Sequence, residues 1–305
     1  MLQRLNTDIF SPQVNEDIAA ISQQLKASGL LTPELIPTRA GDLWHTDDHG
    51  GVWRCITYVG KNTYTRLDSK RELMSAGRLV AKFHAALYNF SWSFRSVRPD
   101  AHNTQQHLAT LQGLMHTHQS HRLFKEVYPL TERILDHWEH FSGPENLPRR
   151  IVHGDLKLSN IRFNGTKAVA LIDLDTMAHS DLSVELGDAM RSWCNPASED
   201  AKDCRFHAEI FESAIRGYAR AAKEGPPITD AEWESIVPGA ERISLELAAR
   251  FAADALQERY FGWNPKFGTR GEHNLLRARG QYALALSIHE QRNELGKAVQ
   301  RARKA

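Results

Sequence analysis

Three cysteines, Cys55, Cys194 and Cys204, are all that the 305 residues contain, an odd number at spacings that suit neither a zinc site nor a disulfide framework. They are expected to be incidental or buried thiols of a reducing compartment. An excess of charge of one sign is missing too. Lys+Arg 38 against Asp+Glu 37 leaves a net charge of +1, so no global field points to nucleic acid or an anionic membrane as a partner. No run approaches the roughly 20 apolar residues of a membrane span, and the opening "MLQRLNTDIFSP" lacks the basic-then-apolar layout of a signal peptide. Internal repeats and low-complexity tracts are absent as well. The expectation is a soluble, cytoplasmic chain, monomer or dimer, whose partner is a small, locally charged molecule. The length suits one large core or two lobes, and two lobes are the preferred reading.

What is present is uneven along the chain, with strands early and helices late. "MLQRLN" reads as a short strand. "PQVNEDIAAISQQLKASG" has helical spacing at Val14, Ile18, Ile21 and Leu25, with Gly29 just past its end. "DLWHT" and "VWRCITYV" flank the turn-rich "DDHGG" as a hairpin. "SKRELMSAGRLVAKFHAALYNF" is an amphipathic helix with Leu73, Leu79, Val80, Phe83 and Leu87 on one stripe. From about residue 200 nearly everything reads as helix. His107, His116, His118 and His121 are close in sequence, but His116 and His118 fall on opposite sides of a helix, so they are expected to be solvated. The basic tail "GKAVQRARKA" is expected to be a frayed helix end.

One stretch carries chemistry. "IVHGDLKLSN" is followed by "IRFNGTKAVALIDLDT", two β-rich runs around Asn164-Gly165, which is a strong hairpin signal. Such a hairpin has Asn160 at its entrance and Asp173 at its exit, so Asp155, Asn160 and Asp173 can converge. Phosphoryl transfer uses a trio of this kind: an aspartate accepts the acceptor hydroxyl proton, while an asparagine and a later aspartate hold magnesium. Magnesium prefers oxygen ligands, which an amide and a carboxylate supply beside nucleotide phosphates. Lys157 would offset the charge of the moving phosphoryl group. His153 is expected to support the loop rather than transfer protons.

"HGDLKLSN", "IDLD" and "ELGDAMRS" together resemble the aminoglycoside-phosphotransferase-like small-molecule kinases, relatives of the protein kinases. The stretches "LQRLNTDIF", "IPTRAGDLWHTDDHGGVWRCITYV", "PDAHNT" and "EHNLLRARGQYALALSI" resemble, in chain order, the N-acetylhexosamine 1-kinase branch of that family. The resemblance implies an α+β, protein-kinase-like bilobal fold. A truncated nucleotide-binding β-lobe would occupy residues 1–60, and a large, mostly helical lobe residues 61–305. It also implies an ATP- and Mg2+-dependent phosphotransferase acting on the anomeric hydroxyl of an N-acetylhexosamine, with an aminoglycoside or other small-alcohol kinase as the alternative.

Carried over by position, Asp155 is the catalytic base, Asn160 and Asp173 are the magnesium ligands, and Tyr58 and Val59 lie at the crossing that receives adenine. Asp100, His102 and Asn103 resemble a sugar-contacting loop. Arg191, Asn274 and Arg277 resemble site-facing residues, with internal ion pairs as the competing reading. Tyr260 stacks on the sugar or fills the helical core. Two departures from the family stand out. "MLQRLN" resembles the third strand, so the glycine-turn strands over the phosphates are expected to be missing, which fits either a start placed too late or a degenerate, non-catalytic nucleotide binder. The basic residue of that strand is then Arg4, unless Gln3 takes its place, with Glu16 as a possible partner. Ala101 stands where the loop usually has an aromatic residue.

Overall fold

The computed structural model describes residues 1–98 and 101–305. Strand β1 (Leu2–Arg4) leads to helix α1 (Val14–Ala27), whose apolar stripe Val14, Ile18, Ile21 and Leu25 is buried. Strands β2 (Leu35–Ile36), β3 (His45–Thr46) and β4 (Val52–Ile56) complete a small antiparallel sheet in which β4 pairs with each of the others. The β3–β4 hairpin forms where the turn residues indicated. Asp47 Oδ1 accepts from the amides of His49 at 2.9 Å and Gly51 at 2.7 Å, and its Oδ2 accepts from Trp53 Nε1 at 2.7 Å.

A second sheet is built from β5 (Asn62–Thr63), β7 (Ile161–Asn164) and β8 (Lys167–Leu171), and a third from β6 (Arg150–Val152) and β9 (Ala178–Ser180). In the β7–β8 hairpin Asn164 pairs with Lys167, so Gly165 and Thr166 make the turn, with Gly165 at φ +58°. Glycine adopts that conformation at little cost.

The remaining chain is helical. Helix α2 (Lys70–Leu87) starts at a capping box between Ser69 and Glu72 and buries Leu73, Leu79, Val80, Phe83 and Leu87. Helices α3 (Thr104–Thr117), α4 (Phe124–Glu139), α5 (Leu182–Trp193), α6 (Ala208–Ala222), α7 (Asp230–Glu234), α8 (Ile236–Gln257) and α9 (Arg270–Lys304) follow. One apolar core joins α1, α2, α5, α6, the β7–β8 hairpin, the start of α8 and the later part of α9, and a second joins α3, α4, the rest of α8 and the earlier part of α9. The C-terminal tail does not fray as its charge suggested. It is the last stretch of α9, anchored by buried Ala298, Val299 and Ala302. The clustered histidines do not converge: His116 is exposed, His107 reaches the Ala101 carbonyl and His121 reaches Glu258. Among the described residues, no helix is long and apolar enough to cross a membrane.

Glycines set how closely α2 and α6 approach. A Cβ on Gly77 would lie 2.1 Å from the Ala214 carbonyl oxygen, and one on Gly217 would lie 2.1 Å from that of Met74. Backbone cannot yield as a flexible side chain can. Gly77→Ala is therefore expected to destabilise the fold by roughly 1–3 kcal/mol, the usual cost of overpacking. Urea unfolding measures it, and an unchanged midpoint would mean that the two helices can part freely.

Candidate active site

Strand β6 delivers the chain to His153, where it turns sharply. Gly154 has φ +77°, and a Cβ there would meet the Thr176 carbonyl oxygen at 2.5 Å. The turn is held from below by Glu185 on α5, a buried carboxylate. Its Oε1 accepts from the His153 amide at 2.8 Å and its Oε2 from the Gly154 amide at 2.9 Å. Burial works against the Glu185 charge, but the hydrogen bond and charge of His84, with His153 and the Gly154 amide, outweigh it and lower the pKa. His153 Nε2 bonds the Ile172 carbonyl at 2.9 Å, and its Nδ1 accepts from the Asp155 amide at 3.3 Å. Trp193 Nε1 donates to the Leu156 carbonyl at 2.6 Å.

On this support Asp155, Lys157, Asn160 and Asp173 come together. Lys157 Nζ lies 2.6 Å from Asp155 Oδ2. Asn160 Nδ2 donates to the Asp155 carbonyl and to Oδ2, each at 2.9 Å. Both bonds to the carboxylate fall on Oδ2, which leaves Oδ1 to accept a proton. The amide hydrogens of Asn160 are both directed at Asp155, so its oxygen is the atom left to meet a cation. The two ends of the hairpin meet where the Ile172 amide donates to the Asn160 carbonyl at 2.9 Å. That bond places Asp173 beside Asn160, with Asp173 in the left-handed region at φ 66°.

Burial, and then the charges of Asp175 and Asp155, raise the Asp173 pKa. Burial also opposes the charge of Lys157, yet Asp155 beside it outweighs that and raises its pKa. Crowded, partly desolvated oxygens with one amide oxygen suit a hard divalent cation, whose charge would relieve the repulsion among the three carboxylates.

Arg54 on β4 reaches into the same region. Its guanidinium bonds Asp175 through two parallel contacts of 2.5 and 2.7 Å, and its Nε donates to Gln3 Oε1 at 2.9 Å. Both charged side chains are 8% exposed. Strand alternation puts Gln3 on this inner side and leaves Arg4 exposed on the other, so the inward place falls to Gln3 rather than to Arg4. Glu16 does not enter this network and lies 4.0 Å from Arg95.

A cleft of about 1260 Å³ opens in front of Asp155 and Lys157, and His102, Asn103, Arg191, Tyr260 and Arg277 line it. Asp100 lies outside the described residues. His102 Nδ1 is 3.1 Å from Glu246 Oε1, where the carboxylate more than offsets burial and raises the histidine pKa. Asn103 caps α3 through the Gln106 amide. Arg191 is buried and ion-paired with Asp188 and Glu199, and Arg277 pairs with Asp200. For both arginines the ion-pair reading and the cleft-facing reading hold together.

Asn274 does not face the cleft. It is fully buried and donates to Asp254 Oδ2 at 2.8 Å, while Asp254 accepts the amides of Arg259, Tyr260 and Phe261. Asn274 therefore supports the loop that carries Tyr260. Tyr58 is 68% exposed with Arg162 over its ring. Val59 is buried, and its carbonyl accepts from Arg162 Nε at 2.9 Å.

Glu185, Arg54 and Asp175 were not singled out in the sequence. A lone arginine inside the apolar "VWRCI" and a second aspartate in "IDLDT" were the available signals. Arg54→Leu would leave Asp175 buried and unpaired, an effect typically worth about 3–5 kcal/mol. The double variant Arg54→Leu/Asp175→Leu is expected to recover much of that loss. Chemical denaturation of both variants checks it, and a double variant no more stable than the single one would show that the pair is not coupled.

The profile of the phosphotransferase enzyme family, known by the abbreviation APH, matches residues 10–224. The homoserine kinase of Agrobacterium fabrum is 22% identical over 218 residues, 71% of this chain and 62% of its own. The alignment thus spans about three fifths of that relative. Among solved structures, an aminoglycoside phosphotransferase from Alicyclobacillus acidocaldarius is similar at TM-score 0.56 and 13% identity, over 100% of this chain and 87% of that one. An amicoumacin kinase solved with AMP-PNP and Ca2+ is similar at TM-score 0.57 and 11% identity, over 97% and 81%. These likenesses are of fold. The family profile covers well over half of the residues, and on that match the chain belongs to the phosphotransferase enzyme family.

Proposed function

We propose that the chain is an ATP- and Mg2+-dependent kinase of a small neutral polyol, with the anomeric hydroxyl of an N-acetylhexosamine as acceptor. The observation that carries the neutral-polyol reading is the lining of the cleft beside Asp155. Its charges are largely spent on one another, and Phe251, Tyr260, Phe261 and Trp263 form an apolar side. Arg191 and Arg277 are ion-paired, and Arg242 donates to Thr104 Oγ1 and to the His102 carbonyl. A sugar needs hydrogen bonds and a ring face to stack on, which this lining offers. A polycationic aminoglycoside would need an excess of carboxylates, whereas arginine and lysine outnumber aspartate and glutamate here. The choice of an N-acetylhexosamine rests on the sequence resemblance of the stretches "PDAHNT" and "EHNLLRARGQYALALSI", which follow one another as in that branch of the family.

In this reading residues 1–60 bind nucleotide and residues 61–305 bind the acceptor. Asp155 Oδ1 takes the hydroxyl proton as the oxygen attacks. Asn160, by bonding Oδ2, fixes the carboxylate plane, and Lys157 offsets charge on the transferred group. Asn160 and Asp173 would hold magnesium, which neutralises phosphate charge when bound. The Val59 amide is the hinge group proposed to meet adenine.

The homoserine kinase relative and the basic lining favour a second reading, a small amino acid alcohol whose carboxylate meets an arginine. Acceptor-dependent ADP release separates the two. N-acetylglucosamine or N-acetylgalactosamine is expected to support turnover and yield an acid-labile anomeric phosphate, and turnover with homoserine alone would overturn the sugar reading. Asp155→Asn is expected to lower kcat about 100-fold or more with little change in acceptor affinity, since general-base assistance is commonly worth 10² to 10⁴. Normal turnover in that variant would remove Asp155 from the mechanism.

A further inference from the structure

Away from the cleft, three helices bring one side chain each to a single point. His137 stands near the end of α4, Glu241 in the second turn of α8 and His289 in the middle of α9. His137 Nε2 is 2.8 Å from Glu241 Oε1, and His289 Nδ1 is 2.9 Å from the same oxygen. The two imidazole rings lie 5.0 Å apart, nearly perpendicular at 81°. One ligand atom from each residue lies within 4.8 Å of the other two. His137 and Glu241 are buried, while His289 is half-exposed and borders a cavity of about 260 Å³, with Glu241 on the same wall. None of the three lines the kinase cleft.

A buried carboxylate needs one good partner, and either histidine alone would satisfy it. Two imidazoles converging on it from perpendicular planes, with open space on one side, are instead the donor set of a three-ligand zinc centre. We propose that His137, Glu241 and His289 bind one zinc-class divalent cation, with water from the cavity in the fourth position.

Bond lengths of about 2.0–2.2 Å place tetrahedral ligand atoms roughly 3.3 Å apart. The pairs now at 2.8 and 2.9 Å therefore need to open by only a few tenths of an ångström. Each ring nitrogen that now donates to Oε1 presents its lone pair instead, its proton passing to the other ring nitrogen or to solvent. Imidazole selects zinc over magnesium, which keeps this centre distinct in chemistry from the oxygen-lined site at Asp173.

The consequence is a cross-link where the two cores meet. Arg242, next to Glu241, holds Thr104 and the His102 carbonyl, and Glu246 on the same helix holds His102 and Thr104. An ion at the proposed centre would tie the helix that steadies this acceptor-side loop to α4 and α9.

The full chain, stripped with a chelator, is titrated with Zn2+ by calorimetry and with Co2+ as a visible probe. Expected are one zinc bound, a tetrahedral cobalt spectrum and a higher melting temperature with zinc. His289→Ala, at a half-exposed position, is expected to keep the fold and the magnesium-supported activity, to weaken zinc binding by at least the roughly 10–100-fold that losing even an outer partner of a ligand costs, and to abolish the cobalt bands. Glu241→Gln tests the carboxylate in the same way. Failure of the wild-type chain to bind zinc, octahedral cobalt, or unchanged zinc affinity in both variants would each overturn the proposal.

Discussion

A single buried carboxylate holds the loop that carries Asp155 in shape. Glu185, 1% exposed, gives both oxygens to the amides of His153 and Gly154, and His84 binds one of the same oxygens from α2 at 3.1 Å. His84 in turn meets the Tyr218 hydroxyl at 2.9 Å, so α2, α5, α6 and the loop are joined by one line of polar contacts through an apolar core. Such a network is costly if any member is left unpaired and rigid when all are satisfied. The loop can therefore present Asp155, Lys157 and Asn160 in one arrangement, with Gly154 supplying the backbone turn that a side chain would obstruct.

The second tie runs between the first sheet and the hairpin exit. Asp175 lies two residues beyond Asp173, and the Arg54 clamp fixes its backbone at the point where Asp173 takes a left-handed conformation. Charge that would otherwise crowd the site is shared out here: Asp175 goes to Arg54, while Asp155 is shared by Lys157 and Asn160. Burial and the charges of Asp175 and Asp155 raise the Asp173 pKa, and a cation beside it would relieve that repulsion.

The cleft follows the same logic on a larger scale. Arg149, Arg191, Arg242, Arg250 and Arg277 are held by neighbouring carboxylates and carbonyls, so they serve as walls and donors at fixed positions more than as free charges. Arg250 stands over the rings of Tyr260 and Phe261 at 5.8 and 5.5 Å, which orients an aromatic surface beside the polar floor. Behind that surface, Asp254 caps the backbone of the loop and Asn274 holds Asp254. Specificity in such a cleft comes from the positions of fixed groups, and those positions come from contacts outside the cleft.

What could be read from the chain alone was local. The stripe of α1, the stripe and cap of α2, the two hairpins and the spacing of Asp155, Lys157, Asn160 and Asp173 all lie within windows of a few to about twenty residues, where periodicity and turn chemistry dictate the backbone. Residues that depend on distant partners could not be assigned this way. Arg54 and Asp175 are 121 positions apart, and the Gln3 contact of Arg54 depends on which face of β1 turns inward. The resemblance of "EHNLLRAR" implied a site-facing Asn274, with an internal contact as the competing reading, and its burial on α9 beside Asp254 makes it a support. The sequence by itself determined the loop and its trio of polar groups, because those are fixed by short-range geometry. Only the tertiary structure decided which charges are paired, which strand face is inward and which histidines converge, because those depend on helices and strands brought together over long stretches of chain.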